Sequence, residues 1–295
     1  NPVDFKIRQT AAKDELLDTP KIIGWDAVGT VAAVGENVSR FKVGDEVFYA
    51  GDLLRSGSNA EYQLVDERIV GFSPKNVSIA EAAAMPLTSL TAYEALFDRI
   101  RIDPEKDKGK AILILAGAGG VGSITIQLAK KVANLTVIAT ASRSDTEEWC
   151  KEMGADFVVN HHKLQEELVK IEHAHVDYVL DFYDIDTYWD TIVEIIKPQG
   201  HILSISDSGA NLNMSQLKGK SVSFSWELMF TRSMHQTADI ARQHEILNHV
   251  SKLLDDGTIK STLTNTLEGF TVENFKEAHR MQESGKAIGK TVIVF

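Results

Sequence analysis

Gly117-Ala118-Gly119-Gly120-Val121-Gly122 has the spacing G-x-G-x-x-G. The apolar run Ile112-Leu113-Ile114-Leu115 precedes it, and a helical pattern from Val121 to Lys130 follows. Between a buried strand and a helix, that spacing has a chemical use. The first glycine permits a tight turn, the second lets the backbone approach a pyrophosphate, and the third lets helix and strand pack closely. Unpaired N–H groups and the positive end of the helix dipole then attract phosphate. A glycine-rich turn can exist without a ligand. The strand before it and the helix after it make this one read as a dinucleotide-binding loop.

The end of the next strand separates the two nicotinamide dinucleotides. A carboxylate roughly 20 residues beyond the loop bonds a free ribose 2′-hydroxyl. This sequence has Ala141-Ser142-Arg143-Ser144 there, with no carboxylate until Asp145. A hydroxyl and a guanidinium suit a 2′-phosphate. Ser142 and Arg143 are therefore expected to bind the cofactor, with NADP(H) preferred over NAD(H).

Metal chemistry finds little support. The single cysteine, Cys150, rules out a zinc ribbon or any cluster of four thiolates. The nine histidines show no recognised ligand spacing, and the adjacent His161-His162 do not share one face of a strand. Cys150, inside Glu147-Glu148-Trp149-Cys150-Lys151, reads as structural. Trp25, Trp149, Trp189 and Trp226 read as packing residues.

The elements that must position these groups follow from the pattern of apolar runs. Between residues 110 and 226, "AILILA", "TVIATA", "DFVVNH", "VDYVLDF", "HILSIS" and "SVSFSW" are six strand candidates. Helical stretches separate the first five, which predicts a parallel sheet covered on both faces. Residues 1–92 read as β-rich, with short β-branched runs broken by glycine, then an alanine-rich helical stretch from Ile79. "VGTVAAVGENV" and "VGDEVFYAGD" resemble strand–turn–strand units. The last part contains two helical segments ending at Gly257 and Gly285, then the terminal strand "KTVIVF".

Bulk properties narrow the partners. A length of 295 residues predicts about two domains. A net charge of −11 disfavours a nucleic-acid backbone. No apolar run reaches the roughly 20 residues of a membrane helix, and no signal peptide is visible. One cysteine suits a reducing compartment, so a cytoplasmic location is expected.

"NPVDFKIR", "GWDAVGTVAAVGENVSRFKVGDEV", "AEAAAMPLTSLTAYEAL", "LAGAGGVGSITIQLAK" and "GKTVIVF" together resemble the medium-chain dehydrogenase/reductase superfamily. The branch most resembled is the quinone oxidoreductase-like, zeta-crystallin-like one. "SRSDTEEWCKEMGAD" and "FSWELMFTRSMHQTADI" are similar to a subgroup labelled zinc-type alcohol dehydrogenase-like. The resemblance runs along essentially the whole chain. It implies an α/β protein: a GroES-like β-rich catalytic domain plus a Rossmann doubly wound parallel sheet. The expected boundaries are 1–92 for the catalytic domain, with its first strands lying before "NPVD", then 93–240 for the Rossmann domain and 241–295 for the return segment. A homodimer paired through "VSFSW" is also implied.

Zinc-dependent relatives carry an early Cys and a Gly-His-Glu motif. Asn1 and Gly24-Trp25-Asp26 stand in those places, so no metal is expected. The resemblance puts Asn1, Asp4 and Lys6 near nicotinamide and substrate, and Tyr49 near the substrate. It gives Thr91, His161 and Arg232 to the cofactor side, beside Gly117, Gly119, Gly120, Val121 and Gly122. The implied activity is NADPH-dependent hydride transfer to a quinone or an α,β-unsaturated carbonyl. A zinc-type alcohol dehydrogenase and an NADPH-binding sensor with little catalysis remain open.

Overall fold

The structure, a computed structural model, describes residues 1–11 and 17–295. It divides into two compact units, an outer one of Asn1–Leu90 with Met229–Phe295 and an inserted one of Thr91–Leu228. The chain re-enters the outer unit at Met229 rather than near residue 241. The short helix from Thr231 therefore belongs to the outer unit, although it follows directly on the last strand of the sheet.

The outer unit begins with α1 (Pro2–Ala11). Its strands β1 (Ala27–Thr30), β2 (Glu46–Tyr49) and β3 (Val70–Phe72) form an antiparallel sheet in the order β1-β2-β3. Phe41, Val47, Tyr49 and Val70 form its small core. The antiparallel strands expected within residues 1–92 are present but short, and residues 2–11 are helical. Val34 and Val43 remain exposed, and among the described residues of "VAAVGENV" only Val31 keeps backbone bonds to the facing chain, donating to Asp45 O and accepting from Gly44 N, both at 2.9 Å.

Helix α2 (Ile79–Ala83) starts from a capping box in which Ser78 and Glu81 satisfy each other's backbone N–H. Pro86 occupies the first position of α3 (Pro86–Tyr93), where its missing N–H costs nothing.

The inserted unit holds six strands. They are β4 (Ala111–Leu115), β5 (Thr136–Thr140), β6 (Phe157–Val159), β7 (Val176–Asp181), β8 (Ile196–Ser204) and β9 (Ser223–Trp226). Every pairing is parallel, in the order β6-β5-β4-β7-β8-β9. All five residues of β4 are buried, as expected for a central strand covered on both faces. Helices α4 (Gly120–Lys131), α5 (Ser144–Met153), α6 (Leu164–Lys170) and α7 (Ile185–Ile195) connect the strands. Leu113, Ile138, Val179, Ile192 and Ile202 belong to one continuous apolar core.

The strand order reverses between β4 and β7, and ligands of such sheets bind outside the carboxyl ends at that reversal. Edge strand β9 leaves Trp226 51% exposed, with its ring packed edge-on against Phe224 at a centroid distance of 4.9 Å, so it packs on one side only. The packing expectation does fit Trp25 and Trp189, both buried.

The return segment adds α8 (Thr231–Met234), α9 (Arg242–Asp255), β10 (Leu263–Glu268), α10 (Val272–Glu283) and β11 (Lys290–Val294). Strands β10 and β11 pair in parallel. Helix α9 packs on β3 so closely that a Cβ on Gly71 would lie 2.5 Å from Leu247 Cβ. Among the described residues, no helix is long and apolar enough to cross a membrane.

Candidate active site

The glycine loop joins β4 to α4. The residue it holds in the left-handed region is Ala116, at φ 60°. Two of its glycines answer to packing. A Cβ on Gly117 would lie 2.7 Å from Ala139 Cβ and 3.0 Å from Cys150 Sγ; one on Gly122 would lie 2.3 Å from Ala116 O and 2.6 Å from Gly117 O. Gly119 has an ordinary φ of −70°, and its added Cβ would find only Ala116 O, at 3.4 Å. Internal packing therefore does not require glycine at that position, whereas close approach by a ligand would.

Gly120, Val121 and Gly122 open α4, and their N–H groups have no intrahelical acceptor. The first turn carries no acidic side chain. A phosphate at this helix start would meet backbone donors and the positive end of the dipole.

Ser142 and Arg143 follow β5, and both are exposed. Arg143 N donates to Thr146 Oγ1 at 3.2 Å, and its Nε donates to Asp145 Oδ1 at the same distance. That ion pair is open to solvent on both sides, so it is weak and exchangeable. His161 follows β6 in a single 3₁₀ turn, where Asn160 Oδ1 accepts from His162 N at 3.0 Å. Its ring stands edge-on to Tyr188, with centroids 6.4 Å apart. Burial, and then the neighbouring His162, push the His161 pKa down. The predicted cofactor residues Gly117 to Gly122, Ser142, Arg143 and His161 thus gather at the carboxyl ends of β4, β5 and β6.

Asp181, at the carboxyl end of β7, was not anticipated. Its carboxylate is fully buried and accepts four hydrogen bonds. Ser204 Oγ (2.7 Å) and Ser206 Oγ (2.5 Å) donate to Oδ2; Tyr183 N (3.1 Å) and Asp184 N (3.0 Å) donate to Oδ1. It fixes the loops that follow β7 and β8. The available signal was an acidic residue closing the apolar run Val179-Leu180.

Thr91 and Arg232, the two other residues expected on the cofactor side, lie in helices away from the carboxyl ends of the strands in sequence, Thr91 opening the inserted unit and Arg232 following its end. Thr91 is buried in α3, and Arg232 is a buried cation in α8 whose Nε donates to Asp239 Oδ2 at 3.0 Å.

In the outer unit, Asn1, Asp4 and Tyr49 line one cavity of about 710 Å³, together with Asp26 and Lys290. Lys6 is exposed on α1 and does not line it. Burial pushes the Tyr49 phenol up to about 12, so its hydroxyl keeps its proton at physiological pH.

The carboxamide of Asn1 is fully engaged. Its Nδ2 donates to Trp25 O at 2.8 Å and to Asp26 Oδ2 at 2.7 Å, and its Oδ1 accepts from Lys290 Nζ. A carboxamide has only two N–H donors, so Asn1 reaches a substrate carbonyl only by giving up one of these bonds. Asp26 Oδ1 also accepts from Leu87 N at 2.7 Å, and Lys290 Nζ donates to Asp26 Oδ2 at 2.7 Å.

A zinc ion does not fit these residues. Trp25 is buried edge-on against Phe230 and has no lone pair to offer. Among the described residues, no group of three His, Cys, Asp or Glu side chains converges, whereas zinc needs three or four such ligands. Cys150 is buried, and burial, the larger cause, together with Glu147 raises its thiol pKa to about 12.

Comparison with known proteins agrees with this geometry at the level of family. Residues 1–92 match the alcohol dehydrogenase GroES-like domain, and residues 153–293 match the zinc-binding dehydrogenase family. A zinc-type alcohol dehydrogenase-like protein of Staphylococcus aureus (strain COL) is 47% identical over 297 residues, covering 99% of this chain and 87% of that protein. The 2-methylene-furan-3-one reductase of Solanum lycopersicum is 32% identical, over 99% of this chain and 68% of that one. The crystal structure of Escherichia coli quinone oxidoreductase complexed with NADPH has a TM-score of 0.82 at 25% identity, covering 100% of this chain and 88% of that chain. With its parallel sheet, its glycine loop and relatives along its whole length, the chain is an oxidoreductase of the medium-chain dehydrogenase/reductase superfamily.

Proposed function

We propose that this protein transfers hydride from NADPH to a quinone or an α,β-unsaturated carbonyl without a metal ion. One observation carries the reading. A glycine loop with free first-turn amides is followed, at the end of β5, by Ser142 and Arg143 in place of a carboxylate. The amides of Gly120, Val121 and Gly122 would hold the pyrophosphate. Arg143, released from its exposed pairing with Asp145, would hold the 2′-phosphate. When bound, the dihydronicotinamide supplies a hydride.

The absence of a zinc donor set among the described residues shapes the choice of substrate. Oxidising an alcohol calls for a group that stabilises an alkoxide, commonly a metal. A quinone or enone delocalises the incoming charge itself, so the protein need supply only orientation and hydrogen-bond donors. The relatives named for enone and quinone reduction support the same reading. A homodimer joined through the β9 edge belongs to it, and sedimentation equilibrium tests that part.

The test is oxidation of NADPH by the full-length protein with a quinone and with a 2-alkenal, with and without a chelator. Turnover indifferent to the chelator is the expected result. Turnover lost with the chelator would replace this reading with a zinc alcohol dehydrogenase. NADPH binding without turnover would make the protein a sensor.

A further inference from the structure

We propose that Lys290 is the cationic hydrogen-bond donor that receives the substrate's carbonyl oxygen. The inference rests on the reductase reading and names the donor which that reading requires.

The argument starts from cost. The side chains of Lys290 and Asp26 are 6% and 12% exposed and lie 2.7 Å apart. A buried ion pair is poor value for stability, since apolar residues of similar volume commonly serve as well. This pair also lines the cavity that Asn1, Asp4 and Tyr49 line. A charge kept at a cavity wall at such expense has a use there.

A count of donors then selects Lys290 over Asn1. Both N–H groups of Asn1 are spent, on Trp25 O and Asp26 Oδ2. Turning the amide over would set its NH₂ against the Lys290 ammonium and its oxygen against two acceptors, so the network locks it. The ammonium has three N–H donors. Two go to Asp26 Oδ2 and Asn1 Oδ1, and among the described residues no acceptor meets the third. Asp26 and Asn1 thus act as positioning residues that aim a cation, and Lys290 is the group left with a bond to give.

The chemistry closes on that bond. Hydride addition at the β carbon of an enone forms one C–H bond and breaks the C=C π bond. The displaced electron pair becomes an enolate with its charge on the carbonyl oxygen. An N–H of Lys290 stabilises that oxyanion while the ammonium keeps its proton. A solvent proton then adds at the α carbon to give the saturated carbonyl. The two electrons come from the reduced nicotinamide.

Lys290→Met alone strands the Asp26 carboxylate and invites unfolding, so the test uses the pair D26N/K290M with Lys290→Arg beside it. Three readouts are taken. NADPH binding is followed by fluorescence, kcat and KM are measured with a 2-alkenal, and binding of 4-nitrophenolate, an oxyanion whose absorbance reports its ionisation, is titrated without cofactor. In D26N/K290M, kcat is expected to fall about 100-fold, the order seen when one oxyanion donor is lost. NADPH affinity is expected to hold, and phenolate binding to disappear. Lys290→Arg, which keeps the cation, should recover part of kcat and of phenolate binding. A folded D26N/K290M that keeps both kcat and phenolate binding overturns the proposal. A wild-type protein that binds phenolate through Lys290 yet binds no NADPH overturns the reductase reading instead.

Discussion

The thiol of Cys150 lies against Gly117, so that a methyl group on Gly117 would stand 3.0 Å from its sulfur and 2.7 Å from Ala139 Cβ. Helix α5 and strand β5 together leave the first loop glycine no room for a side chain. Gly117→Ala is expected to lower stability by about 1–3 kcal/mol, the usual cost of overpacking, and to weaken NADPH binding. Adding Cys150→Ala should recover little, because Ala139 remains in the way. Thermal midpoints and NADPH titrations of the single and double variants check this.

Gly122 meets backbone rather than side chains, at 2.3 Å and 2.6 Å from two carbonyl oxygens. No rotamer change can relieve such contacts. Gly122→Ala should abolish NADPH binding outright, with a larger fall in thermal midpoint than Gly117→Ala. Calorimetric titration with NADPH decides between loss and mere weakening.

Cofactor choice should follow the end of β5. Ser142→Asp supplies the missing carboxylate, and Arg143→Ala removes the guanidinium. The double variant is expected to shift the kcat/KM ratio of NADPH to NADH by at least about tenfold towards NADH, the worth of one charge-assisted hydrogen bond of about 1.5 kcal/mol. An unchanged ratio would remove Arg143 from the cofactor site.

Four histidines have pKa values lowered first by burial: His161, His201, His249 and His279. Each binds a proton more readily in the unfolded chain, so stability is fully present above the unfolded value near 6.5. It is lost as pH falls from there through the lowered folded values. The thermal midpoint should therefore decline steadily from pH 7 to pH 5. His279→Gln should flatten part of that slope, since Gln can still accept a hydrogen bond from Arg8, as His279 Nδ1 does at 3.2 Å.

Cys150 should be inert in the folded protein. With its thiol raised to about 12 by burial and Glu147, the reactive thiolate is scarce at pH 8. Iodoacetamide is expected to label it only after denaturation. Labelling of the native protein, followed by mass spectrometry, would contradict the buried assignment.

The glycine loop could be read because its signal is local: a strand, a turn and a helix start within about a dozen residues. Strands β4 and β7 were legible for the same reason, each resting on a short apolar run, whereas β9 alternates serine with aromatic residues and β8 begins in the polar stretch Lys197-Pro198-Gln199. The polar cluster around Lys290 was not legible, because 264 positions separate that residue from Asp26, and no window of sequence spans both. Helix α1 was missed although its signals were present: Pro2 at its first position, Asp4 in its first turn and Arg8 in its last. Valines at 28, 31 and 34 suggested longer strands, yet a strand needs a neighbour, and β1 stops at Thr30 where pairing with β2 ends. Asp181 was overlooked because a carboxylate at a strand end looks like a loop residue until its four donors are seen.

The pairing of Asp26 with Lys290 also orders events during synthesis. The ribosome delivers residues from the amino end, and domains fold as they emerge. Residues 91–228 complete the inserted unit long before residue 290 is made. A nascent chain stalled after the sheet would carry a finished inserted unit while the Asp26 carboxylate still lacked its counter-ion. The proposed oxyanion donor is thus among the last groups to arrive, and a chain arrested just short of it should hold nucleotide without being able to use it.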